Sequence, residues 1–208
     1  MKIISASTEL FSYTPNLEQI LEVAGRVCYK SEDKITDTSG AAFIGRVLDS
    51  QHESVLEHGA ITVRFICDRG VSHELVRHRI ASFSQESTRY CNYSKGKFGG
   101  EITVIRPLFF RPGTADYIEW ERACSEAENV YLAMLSRGVT PQEARSVLPN
   151  SLKTEIVITA NPREWRWIFT KRCTAAHPQM TELMVPLAAK FAKHWPSIFG
   201  EWTTEKNK

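Results

Sequence analysis

Apolar residues recur every three or four positions along much of the chain, which is the spacing of a buried helical face. The pattern predicts helices over residues 14–28, 43–48, 114–137, 161–173 and 178–195. Thr14-Pro15 and Asn161-Pro162 are expected to begin the first and fourth of these, and Pro186 to kink the last. The capping box at 140–143 (Thr-Pro-Gln-Glu) predicts one more short helix, which ends before Pro149.

Other stretches favour strands. Apolar and polar residues alternate from Ala60 to Cys67, as on a half-buried strand. Shorter runs predict further strands over residues 2–5, 102–105 and 151–160. Because no GxGxxG or GxxxxGK sequence occurs, a dinucleotide-binding Rossmann fold is not expected. The predicted fold class is α+β, with a small, mostly antiparallel sheet flanked by helices in one domain over 1–200 and a frayed tail over 201–208.

Composition narrows the function classes. The 208 residues include 26 Lys and Arg against 24 Asp and Glu, a net charge of +2, which is too small for general attraction to nucleic acid or membranes. No apolar run reaches the roughly 18 residues of a membrane span. The five cysteines are scattered and form no CxxC pair, which argues against a disulfide framework or a zinc site. With no signal peptide at the N-terminus, the chain is expected to be cytoplasmic.

The most polar part of the chain is residues 71–94. Asp68-Arg69-Gly70 is predicted to form a turn, residues 72–79 a short helix and 80–90 a polar loop. Arg77, Arg79 and Arg89 lie within thirteen positions, and on a helix the first two would point to different sides. Guanidinium groups in such a cluster suit a phosphorylated ligand. These residues alone leave two interpretations open, a solvated basic face, which is favoured, and an anion site.

A second polar stretch, His52-Glu53 to Glu57-His58, contains metal-ligand residue types. Its histidines are six positions apart rather than the four of an HExxH helix, so they would lie on different faces. No metal site is expected.

Five blocks in a fixed order resemble flavin-dependent thymidylate synthases, the ThyX family. Arg77-His78-Arg79, followed by Ser87-x-Arg89-Tyr90, resembles the family signature. The other blocks are HESVLEH at 52–58, ARSVLP at 144–149, NPR at 161–163 and RCTAAHPQ at 172–179.

The resemblance implies conversion of dUMP to dTMP. Methylenetetrahydrofolate would supply the carbon, and FAD reduced by NADPH the hydride. It also implies a homotetramer in which subunits share active sites. No enzyme nucleophile would be required, and no cysteine lies in a Pro-Cys-His context.

Site residues follow from the same resemblance. The implied FAD contacts are Ser54, Arg77, His78, Arg79, Gln85, Asn161, Pro162 and Arg163. The implied dUMP contacts are Glu74, Arg77, Gln85, Glu86, Ser87, Thr88, Arg89, Arg145 and Arg172. Arg172 would be the catalytic residue, because the family places an arginine there facing the uracil ring.

Three positions depart from the family pattern. Gln85 replaces a glutamate that some members carry, Trp167 replaces a common asparagine, and Pro178 replaces a commoner alanine. An indole at 167 could stack on a ligand or fill the core.

Two other functions remain as alternatives. One is a single-stranded nucleic-acid-binding module, because basic and aromatic residues interleave in this region, although the net charge of +2 weighs against it. The interleaved residues are Arg77, Arg79, Arg89, Tyr90, Tyr93, Lys95 and Lys97. A ThyX-like flavoprotein that has lost its activity is the other.

Overall fold

The structure, a computed structural model, describes residues 1–203 apart from the side chain of Lys97. The chain folds into two compact units, each assembled from separate segments. The first unit comprises Met1–Ser7, Phe65–Arg77 and Phe83–Val157. The second comprises Thr8–Arg64, His78–Ser82 and the chain from Ile158 onward. The single domain over 1–200 stays a prediction.

Helices outnumber strands among the described residues. The helices are α1 (Leu17–Val27), α2 (Ser39–Asp49), α3 (Arg69–Leu75), α4 (Ala115–Ser136), α5 (Pro141–Ala144), α6 (Pro162–Arg172), α7 (Pro178–His194) and α8 (Pro196–Phe199). The strands are β1 (Lys2–Ile4), β2 (Ser7–Tyr13), β3 (Ile61–Asp68), β4 (Ala81–Gln85), β5 (Thr103–Ile105) and β6 (Lys153–Ala160). No helix within 1–203 is long and apolar enough to span a bilayer.

The predicted α+β class is confirmed. Four strands in the order β2-β3-β6-β4 form an antiparallel sheet flanked by helices, which is not a Rossmann arrangement. Strands β1 and β5 pair in parallel as a separate two-stranded sheet, with Lys2 opposite Thr103.

In the first unit, the core packs the predicted apolar stripe of α4 against β5. Cys124 and Tyr131 of α4 are buried with Ile102 and Val104. Glu128, also buried on α4, accepts a hydrogen bond from the Ile102 amide at 2.8 Å and pairs with the N-terminal amino group at 3.0 Å. Buried polar groups need such partners, so α4 is held by both packing and hydrogen bonding.

In the second unit, an aromatic cluster fixes α6. Trp165 and Phe169 pack on Phe191 and Phe199, and the rings of Phe169 and Phe191 meet edge to face with centroids 5.1 Å apart. The Trp165 indole donates to the Ile61 carbonyl oxygen at 2.9 Å. Because both ring packing and a buried hydrogen bond hold α6, the polar residues at its two ends have defined positions.

Two predicted helix starts are wrong. Helix α1 begins at Leu17 after Asn16, whose φ is 50°, because Thr14 instead bonds through its amide and hydroxyl to Ala60. Helix α3 begins at Arg69, where the Asp68 carboxylate accepts from the Val71 amide at 2.8 Å. A side-chain cap of this kind outweighs the turn suggested by Asp68-Arg69-Gly70.

The end of α3 is also corrected. The helix stops at Leu75, so Arg77, His78 and Arg79 do not lie on a helix and the helical separation expected of them does not apply. The predicted polar loop that follows contains a strand, β4, and the segment before α1 contains β2. Both strands are rich in polar residues and lack a clear apolar alternation, so pairing rather than pattern defines them.

The tail differs in part from its prediction. Gly200–Trp202 form a 3₁₀ turn, and Trp202 is buried. Residues 204–208 of the tail predicted to be frayed lie outside the described residues.

Candidate functional site

The implied site residues fall into two groups, one in each unit. In the first unit, a cavity of about 530 Å³ is rich in basic side chains. It is lined by Arg69, His73, Thr88, Arg145, Ser146, Leu148, Pro149, Asn150 and Leu152. We call it the basic cavity. Thr88 and Arg145 come from the sequence prediction, and the structure brings them together with Arg69 and His73.

Neutral oxygens hold the arginines in and beside this cavity. The Arg69 guanidinium donates to the Glu86 carbonyl oxygen and to the Thr154 hydroxyl, both at 3.3 Å. Arg145 donates to the Thr88 hydroxyl at 3.4 Å, and Arg89 to the Gln142 amide oxygen at 3.0 Å.

Within 1–203, none of these three guanidinium groups forms an ion pair with a carboxylate. Their positive charge is therefore not neutralised locally. An anion with several oxygens, such as a phosphate, is the complement to such a group of arginines.

Gln85 and Glu86 lie on a different cavity of the first unit, of about 740 Å³. The Gln85 amide donates to the Ser72 hydroxyl at 2.9 Å and to the Thr154 hydroxyl at 3.2 Å. The Glu86 carboxylate accepts from Lys153 at 2.8 Å and from the Tyr93 hydroxyl at 2.9 Å. Both side chains are committed to structural hydrogen bonds within the unit.

The remaining implied residues of the first unit are differently placed. Ser87 accepts from the Arg89 amide through its hydroxyl at 3.2 Å, which shapes the turn after β4. Glu74 is half-buried in the last turn of α3, and Arg77 is exposed just beyond it.

In the second unit, His78 and Arg172 are brought together. The Arg172 Nε donates to His78 Nε2 at 3.0 Å, and His78 Nδ1 lies 3.6 Å from the Glu164 carboxylate. Burial, and then the positive charge of Arg172, lower the pKa of His78 to about 4. Burial raises the pKa of Glu164. The imidazole is neutral at pH 7, and Arg172 is held by a neutral acceptor.

The first turn of α6 carries Asn161, Pro162 and Arg163. The Asn161 side chain caps the helix by accepting from the Glu164 amide at 2.8 Å, and buried Pro162 takes the first helical position. Arg163 pairs with Glu57 at 2.6 Å and with Glu53 at 3.4 Å. The two glutamates of the 52–58 block thus neutralise the arginine of the 161–163 block.

Asn161 and Arg163 line a cavity of about 580 Å³ in the second unit, together with Glu53 and Glu57. Its lining is Glu53, Glu57, Ile80, Asn161, Arg163, Glu164, Arg166, Trp167, Thr170 and Glu201. We call it the helix-start cavity. Trp167 is 51% exposed there, and the Lys171 ammonium lies 4.3 Å from its ring centroid. Of the two roles left open for this indole, filling the core is therefore wrong.

Two other implied FAD contacts are separate from that cavity. Ser54 lines a cavity of about 730 Å³ with Tyr29, Phe43 and Arg46. Arg79 is exposed, and within 1–203 it forms no ion pair with a carboxylate.

The buried thiols are poor nucleophiles. Burial raises the pKa of Cys67 to about 12 and those of Cys124 and Cys173 to about 11. At neutral pH these three are protonated, and the thiolate is the reactive form. Among residues 1–203, no three His, Cys, Asp or Glu side chains are grouped so as to hold a metal ion.

Sequence reasoning missed Arg69 and Glu164. Arg69 follows a buried strand directly, a common place for functional residues, but its sequence predicts only a turn. Glu164 occupies the third position of a capped helix, where an acidic residue is ordinary. Only the fold shows that its side chain is buried next to His78.

Comparison with known proteins places the chain in a family. The Thy1 family model, described as thymidylate synthase complementing protein, matches residues 9–197. A flavin-dependent thymidylate synthase from Geobacter sulfurreducens is 34% identical over 176 residues, covering 79% of this chain and 72% of the relative. Proteins of the same name from Pyrococcus abyssi and Corynebacterium efficiens are 32% and 33% identical, over 88% and 90% of this chain and 78% and 80% of theirs.

A solved structure supports the fold independently. The UMP/dUMP methylase PolB from Streptomyces cacaoi, solved with 5-Br dUMP, aligns over 96% of both chains with a TM-score of 0.78 and 22% identity. The family resemblance seen in the five sequence blocks is confirmed, and the chain belongs to the Thy1 family of thymidylate synthase complementing proteins.

Proposed function

We propose that this protein is a flavin-dependent thymidylate synthase that methylates dUMP to dTMP. The carbon would come from methylenetetrahydrofolate, and the reducing equivalents from NADPH through FAD. The observation that carries the proposal is the basic cavity, where Arg69 and Arg145 converge with only neutral partners. Relatives that match this chain over 72% and 78% of their own length are named flavin-dependent thymidylate synthases, and the PolB structure was solved with a dUMP analogue.

The basic cavity suits the nucleotide phosphate. Arg145 and the nearby Arg89 can exchange a hydrogen bond to a neutral acceptor for bonds to the charged oxygens of a phosphate. Arg69 bonds to the backbone of Glu86 and to Thr154, so it is preorganised at the same cavity. Binding at this cavity would fix one end of dUMP.

Arg172 suits the pyrimidine ring. Reduction of a uracil ring places negative charge on it, and a fixed guanidinium stabilises that charge more in the transition state than in the ground state. His78 accepts a hydrogen bond from the Arg172 Nε, which gives the guanidinium a defined position beside a ligand. No protein nucleophile is part of this scheme, consistent with the protonated state of the buried thiols.

The second unit offers groups that fit a flavin cofactor. Trp167 presents an exposed indole, and Asn161 and Arg163 lie on the same cavity. Four glutamates also line it, so a flat ring system fits there better than a pyrophosphate. Arg79, exposed in the same unit, is the candidate for the pyrophosphate charge. When bound, the reduced flavin supplies the hydride.

We further propose that the protein is a homotetramer with active sites shared between subunits. Exposed arginines at a shared site repel one another, so bound FAD would stabilise the assembly. Saturating FAD is expected to raise the melting temperature. A melt that FAD leaves unchanged would contradict this part of the proposal.

The spectrum of the purified protein tests the whole proposal. A flavin absorbance band should bleach on anaerobic addition of NADPH, and dTMP should form once dUMP and methylenetetrahydrofolate are supplied. A flavin that bleaches without dTMP formation would indicate a flavoprotein that has lost its activity. Salt-dependent oligonucleotide binding without flavin would indicate a nucleic-acid-binding module.

A further inference from the structure

Three side chains of the second unit form a line along α6. Glu164 lies in the first turn of the helix and Arg172 in its last, and His78 bridges them from outside the helix. Eight residues of α-helix span about 12 Å, so neither end reaches the other without a connecting group. The His78 side chain is 7% exposed and that of Glu164 9%, so water competes little for these contacts.

The protonation of His78 follows from its neighbours. An arginine Nε–H only donates, so His78 Nε2, 3.0 Å away, must be the unprotonated, accepting nitrogen. In the neutral ring the proton is then on Nδ1, which lies 3.6 Å from the Glu164 carboxylate. A negative charge at that distance favours the tautomer with the proton on Nδ1. The opposite tautomer would set two donors against each other and release Arg172.

Glu164 is itself well placed to hold this tautomer. Its backbone amide is bonded to the Asn161 cap at 2.8 Å, and the neighbouring Trp165 anchors the helix in the aromatic cluster. The carboxylate therefore has little freedom to move away from His78. A guanidinium on a long, flexible side chain gains most from such a fixed partner.

We propose that Glu164 is a positioning residue for Arg172. By keeping the proton of His78 on Nδ1, Glu164 keeps Nε2 free to accept from Arg172, and so fixes the orientation of the guanidinium. The consequence for turnover rests on the proposed function, because it requires Arg172 to act on the pyrimidine. The tautomer of His78 does not rest on it.

Nitrogen NMR of the ¹⁵N-labelled full-length protein at pH 7, with and without FAD, tests the tautomer. His78 should show a protonated Nδ1 and an unprotonated Nε2, its signal being assigned among the six histidines by its loss in His78→Gln. Glu164→Gln, whose amide oxygen still accepts, should keep this pattern. Glu164→Leu should change it to the Nε2-protonated form or to a mixture. A wild-type His78 that is protonated on Nε2, or on both nitrogens, overturns the proposal without any Glu164 variant.

Steady-state kinetics test the effect on Arg172. Glu164→Leu should lower kcat by about 10- to 100-fold, the usual cost of removing the carboxylate behind a functional histidine, with little change in the KM for dUMP. Glu164→Gln should stay within about threefold of wild type. Glu22→Gln is the matched control, because it alters a buried carboxylate of the same unit that bonds to Arg26 and Ser39. It should lower stability and leave kcat within about twofold.

The outcomes separate the two proposals. A normal kcat in Glu164→Leu, or a His78 tautomer that Glu164→Leu leaves unchanged, overturns the positioning role. A wild-type protein that forms no dTMP overturns the proposed function alone, because the NMR experiment decides the state of His78 without turnover.

Discussion

The arginines around the basic cavity and those around the helix-start cavity have opposite kinds of partner. In the first unit, Arg69, Arg89 and Arg145 are held by a backbone carbonyl, hydroxyls and an amide. In the second unit, Arg163 is paired with Glu53 and Glu57, and Arg166 with Glu201 at 2.6 Å. Where carboxylates are present, an ion pair neutralises the guanidinium. Where they are absent, its charge remains available to a ligand.

Arg172 follows neither pattern. It bonds to His78, which is neutral like the partners in the first unit. The His78 side chain is 7% exposed, whereas those of Glu53, Glu57 and Glu201 are 35%, 45% and 51% exposed. His78 therefore orients the guanidinium and adds no negative charge beside it. This combination suits a group that must stabilise negative charge during a reaction.

The largest expected effect is on Arg172. Arg172→Ala should lower turnover by about 10²- to 10³-fold, the usual cost of removing one group that stabilises transition-state charge. The melting temperature and flavin content should stay close to wild type, because the aromatic cluster holds α6. Normal turnover in this variant would show that Arg172 does not face the pyrimidine.

The next effect is a pH dependence of stability from His78. Its folded pKa of about 4 lies below the unfolded value of 6.5, so folding disfavours the protonated form. The contribution of His78 to the free energy of unfolding is therefore fully present above pH 6.5 and is lost as the pH falls towards 4. The loss is at most about 3 kcal/mol.

Denaturant unfolding of wild type and His78→Gln at pH 7 and pH 4.5 measures this effect. The wild type should lose more free energy of unfolding than the variant, which has no imidazole to titrate. Other titrating groups are common to both proteins, so the difference isolates His78. If both proteins lost the same free energy of unfolding between pH 7 and pH 4.5, His78 would not be held neutral in the folded protein.

A direct contrast between the units comes from Arg145→Ala and Arg163→Ala. Removing Arg145 should raise the Kd for dUMP by about 10- to 100-fold, the value of a charge-assisted hydrogen bond, with little change in stability. Removing Arg163 should cost under about 1 kcal/mol of stability, as exposed ion pairs do, and leave dUMP affinity within about threefold. Calorimetry with dUMP measures the Kd of both variants, and thermal melts measure their stability. Equal increases in the Kd for dUMP would show that the two arginines do not differ in this way.

The smallest expected effect is at the family departure, Gln85→Glu. The Thr154 hydroxyl that now accepts from the Gln85 amide can rotate and donate to a carboxylate instead. The Ser72 hydroxyl can do so only by giving up its bond to the Arg69 carbonyl oxygen. Stability should change by under about 1 kcal/mol and kcat by under about fivefold. A much larger gain in kcat would show that the missing carboxylate is a catalytic group.

Much of the fold could be predicted because its elements carry local signals. The Thr140 capping box, the Asn161-Pro162 start of α6 and the stripe of α4 are properties of neighbouring residues, and all appear as predicted. Strands β2 and β4 could not be predicted, because polar strands are defined by pairing with distant segments.

For the candidate site, the sequence predicted which residues belong to it but not how their side chains are paired. Family resemblance supplied Thr88, Arg145, Asn161, Arg163 and Arg172, but not their partners. The pairing of Arg163 with Glu53 and Glu57 joins positions more than a hundred apart. The burial of Glu164 beside His78 likewise depends on tertiary packing, which no local pattern records.

Calorimetric titration with dUMP and with deoxyuridine, which lacks the phosphate, tests the proposal that the basic cavity binds the phosphate of the nucleotide. We expect the protein to bind dUMP at least about 100-fold more tightly than deoxyuridine at low salt, a difference of about 2.7 kcal/mol, and Arg145→Ala to remove most of this difference. Equal affinity of the wild-type protein for dUMP and deoxyuridine would show that this cavity does not bind the phosphate.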